Sequence, residues 1–515
     1  MQDNQAQAAI DHLLREHPGV EDSAVFFDDR HGCVAFVVPN NAYLDDISGR
    51  GDAGSTVLSK WRKTFDLSQL AKAVAGTPVG FNTLGWNSSY TRQPIPPDEI
   101  REWVETTVGE ILELGPKAVY EIGCGTGMLL MRIAPRCERY VAVDFSPVVL
   151  SRLREQLQKL PDLAERVELK ERKADNFDAL DNNSFDTVVI NSVAQYFPNV
   201  TYLTKVLEGA VNIVKPGGYV YVGDNRSLPL LPAFASSVEL FQAADEITSR
   251  ELRDQIYRRI EREQELVLSP AYFLSLRNRF PKISRVEIRP LRGRADNEMS
   301  RYRYEAILHV GHENADLSED KFSDWTESRW TLTDIRSSLL QHPNKRINIK
   351  RIRNARIEKD LTALTILRDA DALLTAGELR RNLKKNAGEG IHPQALIDLQ
   401  KEDFGFAVYL SWAACRADGS YDACFVPAGS PQDNSCSAID WPEPDASEFM
   451  CLANAPGQGR LRSELTSQLI AHCNQDLPKE TVLRDITLVD ALARTPQGGV
   501  DSRALLAARN AIRWV

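Results

Sequence analysis

The chain has 515 residues, of which 43% are hydrophobic and 26% charged, a composition typical of a globular protein with two or more domains. Its formal charge of −10 and its lack of a long basic block argue against nucleic acid as the main partner, and no apolar run is long enough to span a membrane. The eight cysteines are scattered without zinc-like spacing, so we expect reduced thiols, no metal site and a cytoplasmic location.

The chain opens with a short helical pattern over residues 6–14. Two β-rich runs, 23–27 and 33–39, follow it and predict a hairpin with its turn at 28–32. A unit of this size is not stable alone, so we expect it to pack on a later part of the chain. Residues 40–57 are rich in glycine, aspartate and serine and predict a linker.

A polar and aromatic loop is predicted at residues 81–91, and it contains Trp86, Ser88 and Tyr90. Its hydroxyl and amide groups have no evident packing role in the sequence. We consider two alternatives for it, a lid over a cofactor and an ordinary surface loop. The segment after it predicts an amphipathic helix, because apolar residues recur at helical spacing between positions 100 and 112.

Residues 119–130 predict a strand, a glycine-rich turn and the start of a helix, as in a doubly wound sheet. The glycines at 123, 125 and 127 allow the backbone to approach a ligand that a Cβ would block. The next strand ends at Asp144, 21 residues after Gly123, where an acid is placed for a ribose diol. Together the two features predict a nucleoside ligand.

The residues around the glycine turn indicate which nucleoside it is. Dinucleotide sites carry a GxGxxG turn that faces a pyrophosphate. Here Glu121 lies two residues before Gly123, and its carboxylate would repel a pyrophosphate. The same carboxylate suits the ammonium of a methionyl group. The sequence therefore favours S-adenosylmethionine over NAD.

A third strand is predicted at residues 167–170 and is followed by Asp175 and Asn176. An acid and an amide placed just past a strand can pair with the amino group of an adenine. A solvated turn is the alternative at this spacing, and the sequence leaves both open.

Two further predicted strands end at the same edge of the sheet. In such sheets ligands bind outside the carboxyl ends of the strands. The candidate site residues are Asn191, Gln195 and Tyr196 after the strand at 185–190, and Asp224 and Arg226 after the strand at 219–222.

The rest of the chain continues to alternate between helices and strands. A charged helical segment at 236–266 is predicted to precede the last strands of the sheet, 286–288 and 303–310. Helices and strands continue through 318–430, and a serine- and proline-rich linker follows at 429–447. The C-terminal residues predict a helix and then a strand at 486–489.

The middle of the chain resembles the methyltransferase domains embedded in nonribosomal peptide synthetases. The stretches that carry the resemblance occur in the same order as in that family, and they are 85–90, 121–130, 185–198, 222–227 and 300–304. The resemblance implies an α/β class I methyltransferase fold, Rossmann-like, with a mostly parallel seven-stranded sheet. It also implies S-adenosylmethionine as methyl donor. In that family the acceptor is usually the α-amine of an aminoacyl group on a carrier-protein thioester.

We combine the motifs and the resemblance into a predicted set of cofactor contacts. These are Trp86, Ser88, Tyr90, Glu121, Gly123, Gly125, Gly127, Asp144, Phe145, Asp175, Asn176, Asn191 and Ser192.

The two chain ends resemble the small C-terminal subdomain of an adenylation domain, split by the methyltransferase. We place its parts at 1–45 and 447–515, with the methyltransferase at 58–430. Gly499 stands where that family has its catalytic lysine, and Glu480 and Thr481 replace a tyrosine and a methionine. We therefore expect no adenylation, but a free-standing methyltransferase with the remnant as scaffold or docking surface. We predict that the two ends pack together as one small α+β subdomain, because neither half has a sufficient core.

For the chemistry, methyl transfer from a sulfonium is an in-line displacement that depends on positioning. An amine acceptor must also lose its ammonium proton. Asp224 is the first candidate for binding and orienting the amine, with Asn191, Tyr196 and Arg226 nearby, and Glu265 is a second carboxylate.

Three functions remain open from the sequence. The first is N-methylation of an amino acid or peptide intermediate, with a peptidyl carrier protein as a candidate partner. The second is O-, S- or C-methylation of a free small metabolite, since one cofactor site serves all these reactions. The third is a non-catalytic protein that binds a synthetase, against which the intact cofactor motif argues.

Overall fold

The protein is described by a computed structural model. It covers residues 2–28, 32–40, 80–83, 85–312, 321–369, 374–385, 388–402, 405–428, 439–444, 452–456, 458–477, 485–489 and 499–503, and the positions 43, 59, 61–63, 66, 483, 492, 494, 495 and 505. The tip of the predicted N-terminal turn, most of both predicted linkers, and Glu480 and Thr481 lie outside these residues.

In chain order, the strands of the described residues are β1 (Val20–Asp28), β2 (Gly32–Pro39), β3 (Ala118–Ile122), β4 (Arg139–Asp144), β5 (Val167–Glu171), β6 (Phe185–Asn191), β7 (Val214–Arg226), β8 (Ile283–Pro290), β9 (Arg303–Val310), β10 (Ser323–Asp324), β11 (Ile347–Ile352), β12 (Phe406–Ser411), β13 (Tyr421–Pro427) and β14 (Asp485–Leu488). The α-helices are α1 (Gln2–Glu16), α2 (Pro97–Glu113), α3 (Leu130–Ile133), α4 (Pro147–Leu157), α5 (Pro161–Ala164), α6 (Val200–Ile213), α7 (Leu231–Gln242), α8 (Ser249–Glu261), α9 (Pro270–Arg279), α10 (Glu298–Tyr302), α11 (Trp325–Ser328), α12 (Leu332–Gln341), α13 (Glu358–Arg368), α14 (Ala376–Lys385), α15 (Pro393–Asp398) and α16 (Gln458–Asp476).

The central sheet has seven strands in the order β5-β4-β3-β6-β7-β9-β8. Only β9 is antiparallel to its neighbours β7 and β8, and the other pairs are parallel. This arrangement confirms the predicted class I fold with its mostly parallel sheet. The strand order reverses between β3 and β6, which is where ligands bind in doubly wound sheets.

The predicted amphipathic helix is α2, and it covers one face of this sheet. Its Ile100, Val104 and Ile111 are fully buried and pack in one cluster with side chains of β3 and β4. Burying a side chain of this size contributes about 1.5–3 kcal/mol, so the apolar stripe fixes the helix on the sheet. Strands β3 and β4 are buried along most of their length, as expected for central parallel strands with helices on both faces.

The prediction of one continuous helical segment at 236–266 is wrong. The structure has two helices in this region, α7 and α8, with a break between them. The break is encoded by a capping box. The Thr248 hydroxyl accepts a hydrogen bond from the backbone N–H of Glu251, and the Glu251 carboxylate accepts one from the backbone N–H of Thr248. A capping box of this kind marks the N-terminus of a helix, so α8 begins here as a new helix.

The central sheet belongs to a compact unit made of residues 58–256 and 266–454. This unit carries a second sheet, of four strands in the order β10-β11-β13-β12. Its longer pairs, β11 with β13 and β12 with β13, are antiparallel. All four strands lie in the stretch 318–430, where the sequence predicts further helices and strands.

The two chain ends form a separate compact unit, made of residues 1–57, 257–265 and 455–515. Strand β2 pairs antiparallel with β1 and parallel with β14, so strands from both ends share one sheet. Leu14 of α1 and Leu465 and Leu469 of α16 are fully buried in a common core. This arrangement confirms the predicted α+β subdomain built from both ends. Among the described residues, no helix combines the length and the apolar character that crossing a bilayer requires.

Candidate cofactor and acceptor site

The candidate site lies at the carboxyl edge of the seven-stranded sheet, around the point where the strand order reverses. The glycine turn follows β3, Asp144 ends β4, Asn191 ends β6 and Asp224 lies near the end of β7. The turn is held against β4, because the backbone N–H groups of residues 123 and 124 donate to the carbonyl of Val143 at 2.8 and 3.1 Å. The tertiary fold thus brings these predicted residues to one edge.

The three glycines of the turn have positive φ angles but different surroundings. A Cβ on Gly125 would meet no atom of the described residues within 4 Å, so with respect to these residues the glycine faces open space. A Cβ on Gly123 would lie 2.4 Å from a methyl of Val193, and one on Gly127 would lie 2.6 Å from a methyl of Leu153. Gly123 and Gly127 are therefore needed for close packing, and their direct contact with a cofactor stays a prediction.

Asp144 joins the glycine turn to the end of β4. Its Oδ2 accepts a hydrogen bond from the backbone N–H of Gly125 at 3.0 Å, and its Oδ1 accepts one from that of Ser146 at 2.9 Å. Burial raises the pKa of Asp144, and these hydrogen bonds oppose the rise. Phe145 follows, half-buried. The contacts of Asp144 with a ribose diol and of Phe145 with the cofactor stay predictions.

Glu121 is a buried carboxyl under the glycine turn, only 3% exposed. Its Oε2 accepts a hydrogen bond from the hydroxyl of Tyr140 at 3.0 Å. Burial raises the pKa of Glu121 to about 7, the Tyr140 hydrogen bond opposes this, and the charge of Asp144 adds to it. A cation placed beside this carboxyl would favour its charged form. The site therefore suits a ligand with an ammonium group.

Asp175 and Asn176 are engaged in local contacts after β5. Asp175 accepts hydrogen bonds from the Tyr202 hydroxyl and from Lys205 Nζ, both at 2.9 Å. Burial raises the pKa of Asp175, but these two partners outweigh it and lower the pKa. The exposed Asn176 accepts from the backbone N–H of Asp178 at 3.0 Å. These contacts agree with the turn alternative, and the adenine contact stays a prediction.

The polar and aromatic loop has a packing role that the sequence analysis missed. The rings of Trp86 and of Trp103 in α2 are 4.7 Å apart between centroids. The Ser88 hydroxyl accepts from the backbone N–H of Tyr90 at 3.2 Å, and the Tyr90 hydroxyl lies 2.8 Å from that of Ser237 in α7. The loop is therefore fastened to two helices. The cofactor contacts predicted for its side chains stay predictions.

The ends of β6 and β7 each carry one buried acceptor that lacks a partner among the described residues. The Oδ1 of Asn191 and the Oδ1 of Asp224 are buried and accept no hydrogen bond from the described residues. Asn191 pairs with Gly223 across the two strands, and a Cβ on Gly223 would lie 2.1 Å from that Asn191 oxygen. The amide oxygen therefore lies close to the β7 backbone at Gly223, the residue before Asp224. Buried acceptors without partners are rare in folded proteins, and at the ligand-binding edge of such a sheet they are candidates to accept a hydrogen bond from a ligand.

The second Asp224 oxygen is fully engaged. Its Oδ2 accepts from the hydroxyl of Ser192 at 2.5 Å and from Arg303 Nη1 at 2.6 Å. Sequence reasoning missed Arg303, which opens β9, although it lies in the stretch 300–304 that carries part of the family resemblance. Ser192 appears here as a partner of Asp224, and its predicted cofactor contact stays untested.

The other predicted catalytic residues have diverse surroundings. The Tyr196 ring lies 4.7 Å from that of Trp61 between centroids, and the Arg226 guanidinium lies 5.1 Å from the centre of the Phe234 ring. Gln195 is buried, and its backbone carbonyl accepts from Leu266 at 2.7 Å. Glu265 belongs to the compact unit of the chain ends, not to the unit that carries Asp224. Its catalytic role stays a prediction.

The residues present fit S-adenosylmethionine. The buried carboxyl of Glu121 suits an ammonium, and Gly125 leaves space beside the carboxylate of Asp144. The oxygens of Asn191 and Asp224 that have no partner among the described residues lie on the neighbouring strands β6 and β7. Within the described ranges, no group of three or more His, Cys, Asp or Glu side chains is arranged to hold a metal ion.

Comparison with known proteins agrees with this site. A family model described as a methyltransferase domain matches residues 120–220, which run from β3 into β7. Over 96% of its length the chain is 36% identical to chondramide synthase of Chondromyces crocatus and covers 13% of that protein. It is 29% identical to cyclosporin synthetase of Tolypocladium inflatum, over 97% of this chain and 3% of that protein. The chain thus spans a small part of the curated relatives it matches.

Solved structures to which the chain shows similarity include the N-methyltransferase NodS from Bradyrhizobium japonicum, 17% identical with a TM-score of 0.25, covering 40% of this chain and 96% of that one. The methyltransferase domain of a bacterial Hen1 is 16% identical with a TM-score of 0.30, covering 41% of this chain and 98% of that one. The match to the family model agrees with the sheet order and the glycine turn described above. The chain therefore carries a class I methyltransferase domain that uses S-adenosylmethionine. Along nearly its whole length it is similar to segments of nonribosomal peptide synthetases, such as the probable non-canonical synthetase CymA of Salinispora arenicola, 30% identical over 96% of this chain and 6% of that protein.

Proposed function

We propose that the domain N-methylates the amine of an amino acid or of an aminoacyl or peptidyl intermediate. The observation that carries the proposal is the pair of buried oxygens, Asn191 Oδ1 and Asp224 Oδ1, that have no donor among the described residues. An amine carries N–H donors and suits such a pair. An ether-forming hydroxyl offers one donor, and a carbanion offers none.

In this proposal the two side chains bind and orient the amine. Asn191 accepts one N–H and Asp224 accepts another, so that the nitrogen lone pair is held in one direction. S-adenosylmethionine, when bound, supplies the methyl group from its sulfonium. The nitrogen forms the new C–N bond as the C–S bond breaks, and the proton that the nitrogen must lose passes to water or to a nearby base. Orientation of this kind can account for a large part of the rate enhancement.

The relatives support a carrier-bound acceptor. Two relatives, the probable non-canonical synthetase CymA of Salinispora arenicola and a synthetase of Aspergillus flavus, are nonribosomal peptide synthetases by name, and the chain aligns with one segment of each. We propose that the acceptor is an aminoacyl or peptidyl group on a peptidyl carrier protein. We further propose that the unit of the chain ends is an adenylation-type remnant that serves as a scaffold or docking surface, since Gly499 replaces the lysine.

The proposal is tested by mass-spectrometric turnover with S-adenosylmethionine. Free amino acids, aminoacyl-loaded carrier protein and the matching 2-hydroxyacyl-loaded carrier protein are offered in parallel. We expect a gain of one methyl group on the aminoacyl carrier and none on the hydroxyacyl carrier. Methylation of the hydroxyacyl group, or of a free metabolite through oxygen, sulfur or carbon, would replace the proposal by the second function. A protein that neither binds nor turns over the donor would support the non-catalytic reading.

The role of the acceptor pair has a matched control in the same unit. Asn348 on β11 is 6% exposed and its Oδ1 also lacks a partner among the described residues, while Asn191 is 9% exposed. We expect Asn191→Ala to lower amine methylation strongly and Asn348→Ala to leave it near the wild-type rate. Equal rates in the two variants would show that Asn191 has no special part in the reaction.

A further inference from the structure

The carboxylate of Asp224 is held asymmetrically. Its Oδ2 receives two hydrogen bonds, from the hydroxyl of Ser192 at 2.5 Å and from Arg303 Nη1 at 2.6 Å. Its Oδ1 is buried and receives none from the described residues. A carboxylate can otherwise rotate about its χ2 bond and exchange its oxygens, since this torsion is broad and nearly two-fold. Two donors that converge on one oxygen remove this freedom.

The backbone at this point is also unusual. Asp224 and Ser192 both have left-handed backbone conformations, with φ of 63° and 55°. The pairing of β7 with β9 shifts register between Val222 and Asn225, so Asp224 lies in an irregular part of the strand. Strained residues of this kind persist only where surrounding contacts hold them, and they cluster at functional sites. The Ser192 and Arg303 contacts supply that support.

Arg303 also balances the charge of Asp224. The Asp224 side chain is fully buried and that of Arg303 is 17% exposed. A buried carboxylate without a cationic partner is strongly disfavoured. Because the guanidinium contacts Oδ2 and not Oδ1, it stabilises the carboxylate and leaves Oδ1 to accept a hydrogen bond from the substrate.

We propose that Arg303 is a positioning residue for methyl transfer and that Ser192 assists it. The two side chains fix the Asp224 carboxylate so that Oδ1 is presented to the acceptor amine. This inference rests on the proposed N-methylation and adds the residues that orient its amine-binding group. Arg303 itself does not contact the reacting atoms.

The test compares Arg303→Met and Arg303→Lys with a matched control. Arg416 and Asp422, in the same unit, form an ion pair of 2.7 Å with side-chain exposures of 18% and 0%, nearly those of the Arg303 pair. We expect Arg303→Met to lower kcat roughly 100-fold, as expected for loss of positioning, with an unchanged Kd for S-adenosylmethionine. Arg303→Lys should restore part of kcat, and Arg416→Met should retain the wild-type kcat where it remains folded.

A second measurement does not depend on activity. A crystal structure of Arg303→Met should show the Asp224 carboxylate rotated or in two orientations. A carboxylate that keeps its place in the variant overturns the positioning role, as does a kcat equal to that of Arg416→Met. If the wild-type protein methylates no amine, the proposed function fails, and the structure of the variant still decides whether Arg303 positions Asp224.

Discussion

The most informative perturbation concerns Glu121, the carboxyl under the glycine turn. It is buried, and its hydrogen bond from Tyr140 is 3.0 Å long. Burial raises its pKa from 4.5 to about 7 in the protein without ligand. If the carboxyl receives the ammonium of S-adenosylmethionine, binding must favour the ionised form. Affinity for the cofactor should therefore depend on pH, and Glu121→Gln should abolish this dependence.

The size of the pH effect on cofactor affinity follows from the shift in the pKa of Glu121. A pKa raised from 4.5 to about 7 means that the empty site disfavours the carboxylate by about 3 kcal/mol, since one pKa unit is worth about 1.4 kcal/mol. At pH 5.5 only a few per cent of the empty protein carries the charged form. Because apparent affinity scales with the competent fraction, Kd should be roughly 20-fold weaker at pH 5.5 than at pH 7.5. The cofactor amine stays protonated over most of this range, because α-amino groups titrate near about pH 8.

Isothermal titration calorimetry with S-adenosylmethionine from pH 5.5 to pH 7.5 measures how its Kd depends on pH. Wild type should bind more tightly as the pH rises, and the slope should flatten near pH 7. Glu121→Gln should show the weak wild-type value of pH 5.5 at every pH. Glu305→Gln is the control, because that carboxyl is also fully buried and accepts from the Tyr221 hydroxyl at 2.5 Å. Burial and nearby Glu110 raise the pKa of Glu305 well above its usual value, and this carboxyl lies outside the glycine turn, so we expect its replacement to leave the pH dependence of binding unchanged.

Two results would refute the reasoning. A wild-type Kd that is constant over this range would mean that no charge forms at Glu121 on binding. A pH dependence that persists in Glu121→Gln would assign the titration to another carboxyl, such as Asp144.

The Glu121 carboxyl gives a second readout, which needs no ligand. Because its pKa is raised in the fold, stability should fall as pH rises from 4.5 through 7, and Glu121→Gln should be the more stable protein at pH 8.

Three further predictions concern stability. Gly127→Ala should destabilise its region by about 1–3 kcal/mol, measured by hydrogen exchange. The control is Gly217→Ala, which should cost less: both glycines have positive φ, but only a Cβ on Gly127 would come within 2.6 Å of Leu153. Equal losses of stability in the two variants would rule out the overlap with Leu153. Ser146→Ala removes the N-cap that accepts from Val149 and should weaken exchange protection in α4 by about 1 kcal/mol, so unchanged protection contradicts the cap. Leu469→Ala should cost about 2–5 kcal/mol and increase proteolysis in the unit of the chain ends, whereas unaltered cleavage would argue against a shared core there.

Much of the central fold was predictable because its signals are local. The apolar stripe of α2, the buried strand before Gly123 and the acid that ends β4 all lie within short windows of sequence. Their spacing also predicted the nucleoside site, since strands and turns of this kind meet at one edge of a parallel sheet. The break between α7 and α8 was local as well, in the Thr248–Glu251 capping box, but the charged pattern around it concealed the signal.

The loop that carries Trp86 and Tyr90 could not be interpreted in the same way. Its contacts are with Trp103 and with Ser237, and the second is 147 residues away in the chain. Hydroxyl and aromatic groups in a loop look solvent-facing until the partner helices are in place. Only packing between distant segments shows that this loop is fastened to two helices.

The sequence by itself determined the fold class, the glycine turn and the strand-end candidates, because hydrophobic periodicity and turn chemistry act over a few residues. It could not determine which oxygen of Asp224 is free. That depends on Arg303, 79 residues further along the chain, which meets the end of β7 only through the antiparallel pairing of β7 with β9. Register and side-chain orientation arise from the packed sheet as a whole, so only the tertiary structure decided which acceptors remain for a substrate.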